Sequence, residues 1–307
     1  MTTLNGQIEP LAIAARSAAR ILAGTKREDK DRALNAIADH LLAHESEILA
    51  ANNEDVLRSQ AEGISESLID RLKLNPKRIA DIANGARQIA ALPDPVGRVI
   101  RERTLENGLH LKQIAVPFGV VGMVYEARPN VTVDAAVILI KAGSAALLRG
   151  SSTAAKSNEV LVNVMRSAIT SVGLPADIVQ LVSSHDRSTV RELLNARGLV
   201  DLVIPRGSAA LIRTVVDESS VPTIETGAGV CHVYIDKDAD LNKAIPIIIN
   251  SKCHRPSVCN AAETLLVHQS IAAEFLPLAL KALKEQGVRL HGDSQAIQMA
   301  KSCGVEM

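Results

Sequence analysis

The chain has 307 residues, enough for about two domains with a sizeable core. It carries 34 basic and 34 acidic residues, so no global field favours nucleic acid or an anionic membrane surface. Aromatic residues make up only 1% of the chain, which argues against the stacking platforms of single-strand binders. We therefore expect neither nucleic acid nor a membrane as a partner.

A reducing cytoplasm is the expected compartment. Four cysteines in a chain of this length do not make a disulfide framework. Charged residues such as Glu9 and Arg16 interrupt the N-terminal segment, which therefore lacks the pattern of a secretory signal. The longest apolar run, 135–140, ends at Lys141 and is far too short to span a membrane.

The first ninety or so residues are predicted to form a helical layer. Leu34 and Ile37 fall on one apolar helical face, and similar stripes occur at 11–22 and 79–89. The same periodicity places Lys30 on the face directed away from the core. We expect these helices to cover another layer, with no chemistry of their own.

Residues 99–116 are predicted to form a β-hairpin. Two partly alternating runs flank Glu106-Asn107-Gly108, and Asn-Gly is the strongest short hairpin signal. A hairpin with so many polar positions cannot fill a core. We expect it to project and to be a candidate oligomer contact.

From residue 118 onward, strand and helix patterns alternate. This order predicts a doubly wound parallel α/β sheet, whose ligands bind at the carboxyl ends of the strands. The predicted strands are 119–125, 144–149, 178–182, 199–204 and 221–225, and the predicted helices are 130–142, 153–172, 187–195 and 207–216.

Two of the strand ends carry a Gly-Ser pair beside an arginine, at Arg149-Gly-Ser-Ser152 and Pro205-Arg-Gly-Ser208. Gly-Ser at a helix N-terminus exposes backbone donors and the positive end of the helix dipole, which together suit a phosphate. It also serves simply as a turn and N-cap, and both readings stay open. Two such ends on one sheet favour a dinucleotide, although no G-x-G-x-x-G is present.

A third strand end leads to Asn130, after Glu126-Ala-Arg-Pro129. Asn130 could simply cap the helix that Pro129 opens. Alternatively, its amide could donate to a developing oxyanion.

The expected domains are 1–225 and 226–307, and the second is expected to be incomplete at Met307. Its predicted elements are a strand at 231–235, a helix after Asp240, a strand at 264–268 and a helix at 271–285.

Cys259 is the candidate nucleophile. It lies on a polar loop between a predicted helix at 241–249 and the strand at 264–268, and Pro256 prevents one helix from running through. Arg255 and nearby backbone N–H groups would lower the pKa of its thiol. The competing interpretation is a small buried hydrophobe, the usual role of a free cysteine.

No metal is expected. His40 and His44 lie one helical turn apart but lack a third ligand at useful spacing. The pairs Cys231-His232 and Cys253-His254, with Cys259, contain no C-x-x-C, and adjacent residues of a strand point to opposite faces.

Four segments together resemble the aldehyde dehydrogenase superfamily. They are VPFGVVGMVYEARPNVTVDA at 116–135, IPRGS at 204–208, GVCHVY at 229–234 and RPSVCNAAETLLV at 255–267. The YEARPNVTVD run is specific, because general members of the superfamily carry a Trp-Asn turn there. Within the superfamily, the chain resembles the branch that reduces γ-glutamyl phosphate for proline biosynthesis.

The resemblance implies NADPH-dependent reduction of L-glutamyl 5-phosphate to L-glutamate 5-semialdehyde. Cys259 would attack the γ-carbonyl, expel phosphate and form a thioester, which hydride from NADPH would reduce. The amide of Asn130 and the backbone N–H of Cys259 would hold the oxyanion.

The resemblance also assigns binding residues. Arg149, Ser151 and Ser152 would meet the adenosine ribose, where an arginine suits the 2′-phosphate of NADP. The pyrophosphate would lie at Gly207 and Ser208, and the nicotinamide at Thr226 and Gly227. Apart from the resemblance, Arg128 and Arg255 are candidate anchors for the substrate's carboxylate or phosphate, because arginine binds both groups bidentately, and Asn260 is a further candidate for binding the substrate.

Further expectations come from the same resemblance. Glu225 matches a glutamate that activates water in hydrolytic relatives, and its role here stays open. A homo-oligomer is expected, with substrate hand-over from glutamate 5-kinase. Because chains of this branch continue past residue 307, we expect these residues alone to have little turnover and a weakened NADPH site.

Three alternatives stay open. The first is an oxidising or CoA-acylating aldehyde dehydrogenase on the same fold, which acyl-phosphate-dependent oxidation of NADPH without CoA would exclude. The second is a thiol hydrolase using Cys259 with His254 or His232, which would not bind NADPH. The third is a non-catalytic nucleotide-binding fragment.

Overall fold

The computed structural model describes residues 6–184, 186, 188–225, 229–256, 258 and 260–306. The chain divides into two compact units, Met1–Thr226 and Gly227–Met307. Within those described ranges, no helix is both long enough and apolar enough to cross a membrane.

The first unit begins with helices, as predicted. In the first of them, buried Ile8, Ala12, Ala15 and Leu22 recur at helical spacing. The fifth begins where the Asn75 side chain accepts a hydrogen bond from the backbone N–H of Arg78. The helices are α1 Ile8–Ala23, α2 Arg27–Ala43, α3 Glu45–Ala61, α4 Glu66–Leu72 and α5 Pro76–Ala91.

The predicted hairpin is confirmed. Strands β1 Val99–Thr104 and β2 His110–Ile114 pair antiparallel, and every residue of both is exposed. Gly108 adopts a φ of +84° in the connecting turn, a conformation that glycine adopts without steric cost.

A four-stranded parallel sheet follows, in the order β5-β4-β3-β6. The strands are β3 Val120–Tyr125, β4 Ala145–Arg149, β5 Val179–Leu181 and β6 Leu202–Arg206. The strand predicted at 221–225 is wrong, because among the described residues this segment forms a single bridge, between Thr223 and Val203. Pro222 has no N–H to extend the pairing.

Helices cover both faces of this sheet, which confirms the doubly wound prediction. Val121 and Met123 pack with residues of α2 and α5 on one face, and Val120 and Val124 pack with residues of α1 on the other. The remaining helices of the unit are α6 Pro129–Lys141, α7 Ala155–Ser171, α8 Ser188–Leu194 and α9 Ala209–Glu218, with a 3-10 turn at Ser152–Ala154 before α7.

Two lysines are buried where α2, α5 and α6 meet. Lys30 is only 1% exposed, so its predicted outward position is wrong. Its ammonium group lies 2.6 Å from the Asp94 carboxylate and donates to the Lys141 carbonyl. Lys141 in turn pairs with Asp31 at 2.5 Å. Hydrophobic periodicity missed Lys30 because it does not register an ion pair that compensates a buried charge.

The second unit contains the parallel pair β7 Cys231–Ile235 and β8 Ala262–Val267. Its core centres on Phe275, with Ile235 and Ile248. Helix α10 spans Leu241–Cys253 despite an internal Pro246, so it extends past its predicted end at residue 249. The other helices are α11 Gln269–Glu285 and α12 Ser294–Ser302.

The Asp94–Lys30 ion pair should make the stability of the fold depend on pH. Burial acts to raise the pKa of Asp94, but hydrogen bonds from Lys30 and Val96 and the charges of Lys30 and Lys141 hold it below its usual value. The stabilisation from a lowered pKa is present above the unfolded-state value near 3.8 and is lost as pH falls through the folded-state value.

We expect Asp94→Asn to lower the free energy of unfolding at pH 7 by about 3–5 kcal/mol, because the buried Lys30 loses its counter-charge. Urea unfolding at pH 7 and pH 3 measures this. The variant should lose less stability between the two pH values than the wild type. Equal stabilities at pH 7 would contradict the ion pair's role.

Candidate active site

The carboxyl edge of the sheet brings together three of the segments singled out in the sequence. Val124 on β3 pairs with Arg149 on one side and with Pro205 on the other. The ends of β4 and β6 therefore flank the end of β3, and segments 126–130, 149–152 and 206–208 share one edge. This is the edge where parallel α/β sheets bind ligands.

The loop between β4 and α7 is organised by its own polar groups. Ser151 Oγ accepts from the backbone N–H of Thr153 at 3.2 Å and donates to Thr153 Oγ1. The Arg149 guanidinium donates to the carbonyl oxygens of Gly150 and Asp186. Hydrogen bonds from Ser188 and the charge of Arg149 lower the pKa of Asp186. Arg149, predicted to face the ribose, is thus held against this loop.

A link from α3 to the same loop was not anticipated. Asp55 is fully buried and accepts from the backbone N–H and the hydroxyl of Ser157, each at 2.7 Å. Arg58 pairs with Asp55 and donates to the carbonyl oxygens of Ser152 and Thr153 at 3.0 Å. Asp followed by Arg three residues later is common on exposed helices, so no local pattern pointed to this contact.

Gly150 packs on a buried hydrogen-bonded chain. The hydroxyl groups of Tyr125 and Thr132 lie 2.7 Å apart, and Thr132 donates to Asn158 Oδ1 at 2.7 Å. Burial raises the pKa of Tyr125, so its hydroxyl stays protonated. A Cβ on Gly150 would lie 2.2 Å from Asn158 Nδ2, so the loop requires glycine here.

At the N-terminus of α9, a carboxylate occupies the predicted phosphate position. Glu126 Oε1 accepts from the backbone N–H of Ser208 at 2.9 Å. The Ser208 hydroxyl caps the helix by accepting from the N–H of Leu211. A Cβ on Gly207 would lie 2.6 Å from the carboxyl carbon of Glu126. The two residues predicted to meet the pyrophosphate therefore contact an anion of the chain itself.

Asn130 is the second residue of α6. Its Nδ2 donates to Asp134 Oδ2 at 2.9 Å, and the second hydrogen of that amide can donate to a ligand. Burial raises the pKa of Asp134, although the hydrogen bond from Asn130 opposes the rise. Arg128, assigned to the substrate, is half-buried at the N-cap of α6.

The remaining predicted site residues divide into two groups. Cys259, Thr226 and Gly227 lie outside the described residues. Arg255 and Asn260 are exposed in the segment between α10 and β8 of the second unit, and Glu225 is exposed near the end of the first. Among the residues with described positions, no group of three His, Cys, Asp or Glu side chains is placed to hold a metal ion.

Comparisons with known proteins cover nearly the whole chain. The model of the aldehyde dehydrogenase family matches residues 5–299. The γ-glutamyl phosphate reductase of Kineococcus radiotolerans is 54% identical over 304 residues, which is 99% of this chain and 70% of that protein. The γ-glutamyl phosphate reductase of Thermobifida fusca is 55% identical over 295 residues, which is 96% of this chain and 71% of that protein.

A solved structure agrees with these sequences. The γ-glutamyl phosphate reductase of Thermotoga maritima matches with a TM-score of 0.89 and 40% identity, over 98% of this chain and 73% of its own. The similarity therefore includes the edge of the sheet at which the candidate residues lie.

Proposed function

Because the chain belongs to the aldehyde dehydrogenase family, we propose that it reduces L-glutamyl 5-phosphate to L-glutamate 5-semialdehyde with NADPH, releasing phosphate for proline biosynthesis. Family membership makes it an oxidoreductase, so the thiol-hydrolase alternative is set aside. One observation supports the finer proposal: relatives at 54–55% identity that span almost the entire chain carry the name γ-glutamyl phosphate reductase. That name also argues against the oxidising and CoA-acylating alternatives.

In this proposal Cys259 is the nucleophile. Its thiolate attacks the γ-carbonyl carbon, the carbon–oxygen bond to phosphate breaks, and a thioester remains on the enzyme. Bound NADPH supplies the hydride that reduces the thioester carbon. Cys259 is then released as the thiolate, and glutamate 5-semialdehyde leaves. Asn130 and the backbone N–H of Cys259 are the proposed oxyanion donors, each worth about 3–4 kcal/mol.

We expect Cys259→Ser to lower kcat by about a thousandfold or more, because the hydroxyl is a poor nucleophile at neutral pH. NADPH binding, measured by fluorescence titration, should be unchanged. Cys253→Ser, a change to a half-buried free cysteine, is the matched control and should retain activity. Substantial turnover by the Cys259→Ser protein would refute the thioester route.

The cofactor proposal keeps Arg149, Ser151 and Ser152 at the ribose and its 2′-phosphate. Arg149 adds a positive charge at this edge of the sheet, and a guanidinium suits the 2′-phosphate. Thr226 and Gly227 stay assigned to the nicotinamide.

At the N-terminus of α9, Glu126 has to give way. We infer that a phosphate of the cofactor replaces its carboxylate at the N–H of Ser208, with Gly207 alongside. The two anions cannot share one donor, so binding of the cofactor includes the movement of Glu126.

We expect Glu126→Gln to tighten NADPH binding by about 3- to 10-fold, because it removes a negative charge from the phosphate position at a helix N-terminus. Fluorescence titration of NADPH measures the dissociation constant. Glu218→Gln, at the opposite end of α9, is the control and should change nothing. Weaker binding by Glu126→Gln would show that Glu126 contacts the cofactor favourably and would overturn the competition.

The partners remain proposals. We infer a homo-oligomer that forms through the hairpin β1–β2, because this exposed ribbon carries apolar side chains such as Ile100 and Leu111, 55% and 50% exposed. Exposed strand edges with apolar residues favour pairing with another chain.

The acyl phosphate must come from a kinase that acts on glutamate. Direct hand-over of the substrate from that kinase stays a prediction, as does a cytoplasmic location.

Placing a charge on the hairpin should disrupt this contact. We expect the Leu111→Glu protein to form a smaller assembly in solution, because the contact would have to bury an unpaired carboxylate, which is unfavourable. Sedimentation velocity measures the mass. Leu57→Glu, at a similarly exposed leucine on α3, is the control. An unchanged mass for Leu111→Glu would exclude the hairpin as the contact.

A further inference from the structure

A cavity of about 500 Å³ lies in the first unit, between α5, α6 and the end of β3. Its wall is mainly apolar, with Met123, Val131 and Ile138 among the lining residues. Two charged side chains also line it, Asp134 and Arg206. The volume suits a small molecule with a short aliphatic chain and few polar groups.

Asp134 is a half-buried carboxylate whose negative charge no described cation balances. Its described contact is the hydrogen bond from Asn130, and within the described part of the chain it forms no ion pair with a lysine or arginine. Its pKa is raised because burial disfavours the charged form. A cationic ligand in the cavity would offset this unfavourable burial.

Arg206 is the last residue of β6 and is exposed. No carboxylate pairs with it among the residues that the structure describes. A guanidinium binds a carboxylate or a phosphate bidentately. Of these two anions the carboxylate is favoured in this cavity, because Asp134 would repel a phosphate dianion more strongly.

One carboxylate and one guanidinium in a mainly apolar cavity match an amino-acid zwitterion. We propose that this cavity binds the α-amino-acid end of the substrate, with Asp134 accepting from the α-ammonium group and Arg206 donating to the α-carboxylate. The methylene groups contact the apolar wall. This inference rests on the proposed function, and it leaves Arg128 and Arg255 for the phosphate. Asp134 and Arg206 are then the specificity residues of the reaction.

The test compares aldehydes in the reverse, phosphate-dependent oxidation with NADP⁺. The three substrates are L-glutamate 5-semialdehyde, 5-oxopentanoate, which lacks the α-ammonium group, and 4-aminobutanal, which lacks the α-carboxylate. For Asp134→Asn, the preference in kcat/KM for the semialdehyde over 5-oxopentanoate should fall about 10- to 100-fold. For Arg206→Gln, the preference over 4-aminobutanal should fall by a similar factor.

Matched controls lie on α9. Asp217→Asn and Arg213→Gln make the same chemical changes at residues that do not line the cavity, and both preferences should stay at wild-type values. A merely structural role would lower kcat/KM for all three aldehydes alike and would leave the ratios unmoved. Unmoved ratios in both cavity variants would overturn the proposal.

Stability provides an independent readout. Because burial raises the folded-state pKa of Asp134, the carboxylate costs stability as the pH rises above the ordinary carboxyl value, and therefore at neutral pH. Asp134→Asn should therefore unfold at pH 7 at the same or a higher urea concentration than the wild type. Marked destabilisation of the variant would show that Asp134 stabilises the fold and would contradict a role in binding. If the wild type in its full-length form oxidises none of the aldehydes, the proposed function fails; if it does and the ratios stay fixed, only this inference fails.

Discussion

The site depends on the position of β3 inside the sheet. All six of its residues are buried, and it pairs in parallel with β4 on one side and β6 on the other. A strand that is covered on both faces and paired on both sides has no freedom to shift in register. Its end therefore places Glu126 and Asn130 at fixed positions between the loops that follow β4 and β6.

The first unit packs charge as well as apolar surface around this strand. Lys30 and Lys141 are almost completely buried, and each has a carboxylate partner in Asp94 or Asp31. Such pairs do not add stability over a well-packed apolar core, but each one is costly to break. They fix the relative positions of α2, α5 and α6, and α5 and α6 form the walls of the cavity with Asp134.

Much of the architecture could be predicted from the sequence. Alternating strand and helix patterns predicted the parallel sheet, and Asn107-Gly108 predicted the hairpin, because these signals are local. The strand at 221–225 was overpredicted, since an apolar run does not reveal that Pro222 limits the pairing. Lys30 was placed outside, because periodicity cannot anticipate a partner more than sixty residues away at Asp94.

The candidate site was predicted in its parts and not in its contacts. Arg149, Ser151, Gly207 and Ser208 were singled out because glycine and serine after a strand are a local signal, and their binding roles stay predictions. Glu126 at the N–H of Ser208 could not be found, because that contact depends on the register between β3 and β6. The cavity could not be predicted either, because Asp134 lies on α6 and Arg206 on β6, and no local sequence pattern connects the two residues.

The link from Asp55 to Ser157 joins residues 102 positions apart in the chain. Closing so long a loop is slow compared with forming a single helix or hairpin. Helix α7 and the turn before it can form locally, but the carbonyl groups of Ser152 and Thr153 meet Arg58 only once α3 has docked. During synthesis, the loop between β4 and α7 therefore reaches its final contacts late, once α3, made more than ninety residues earlier, has docked against it.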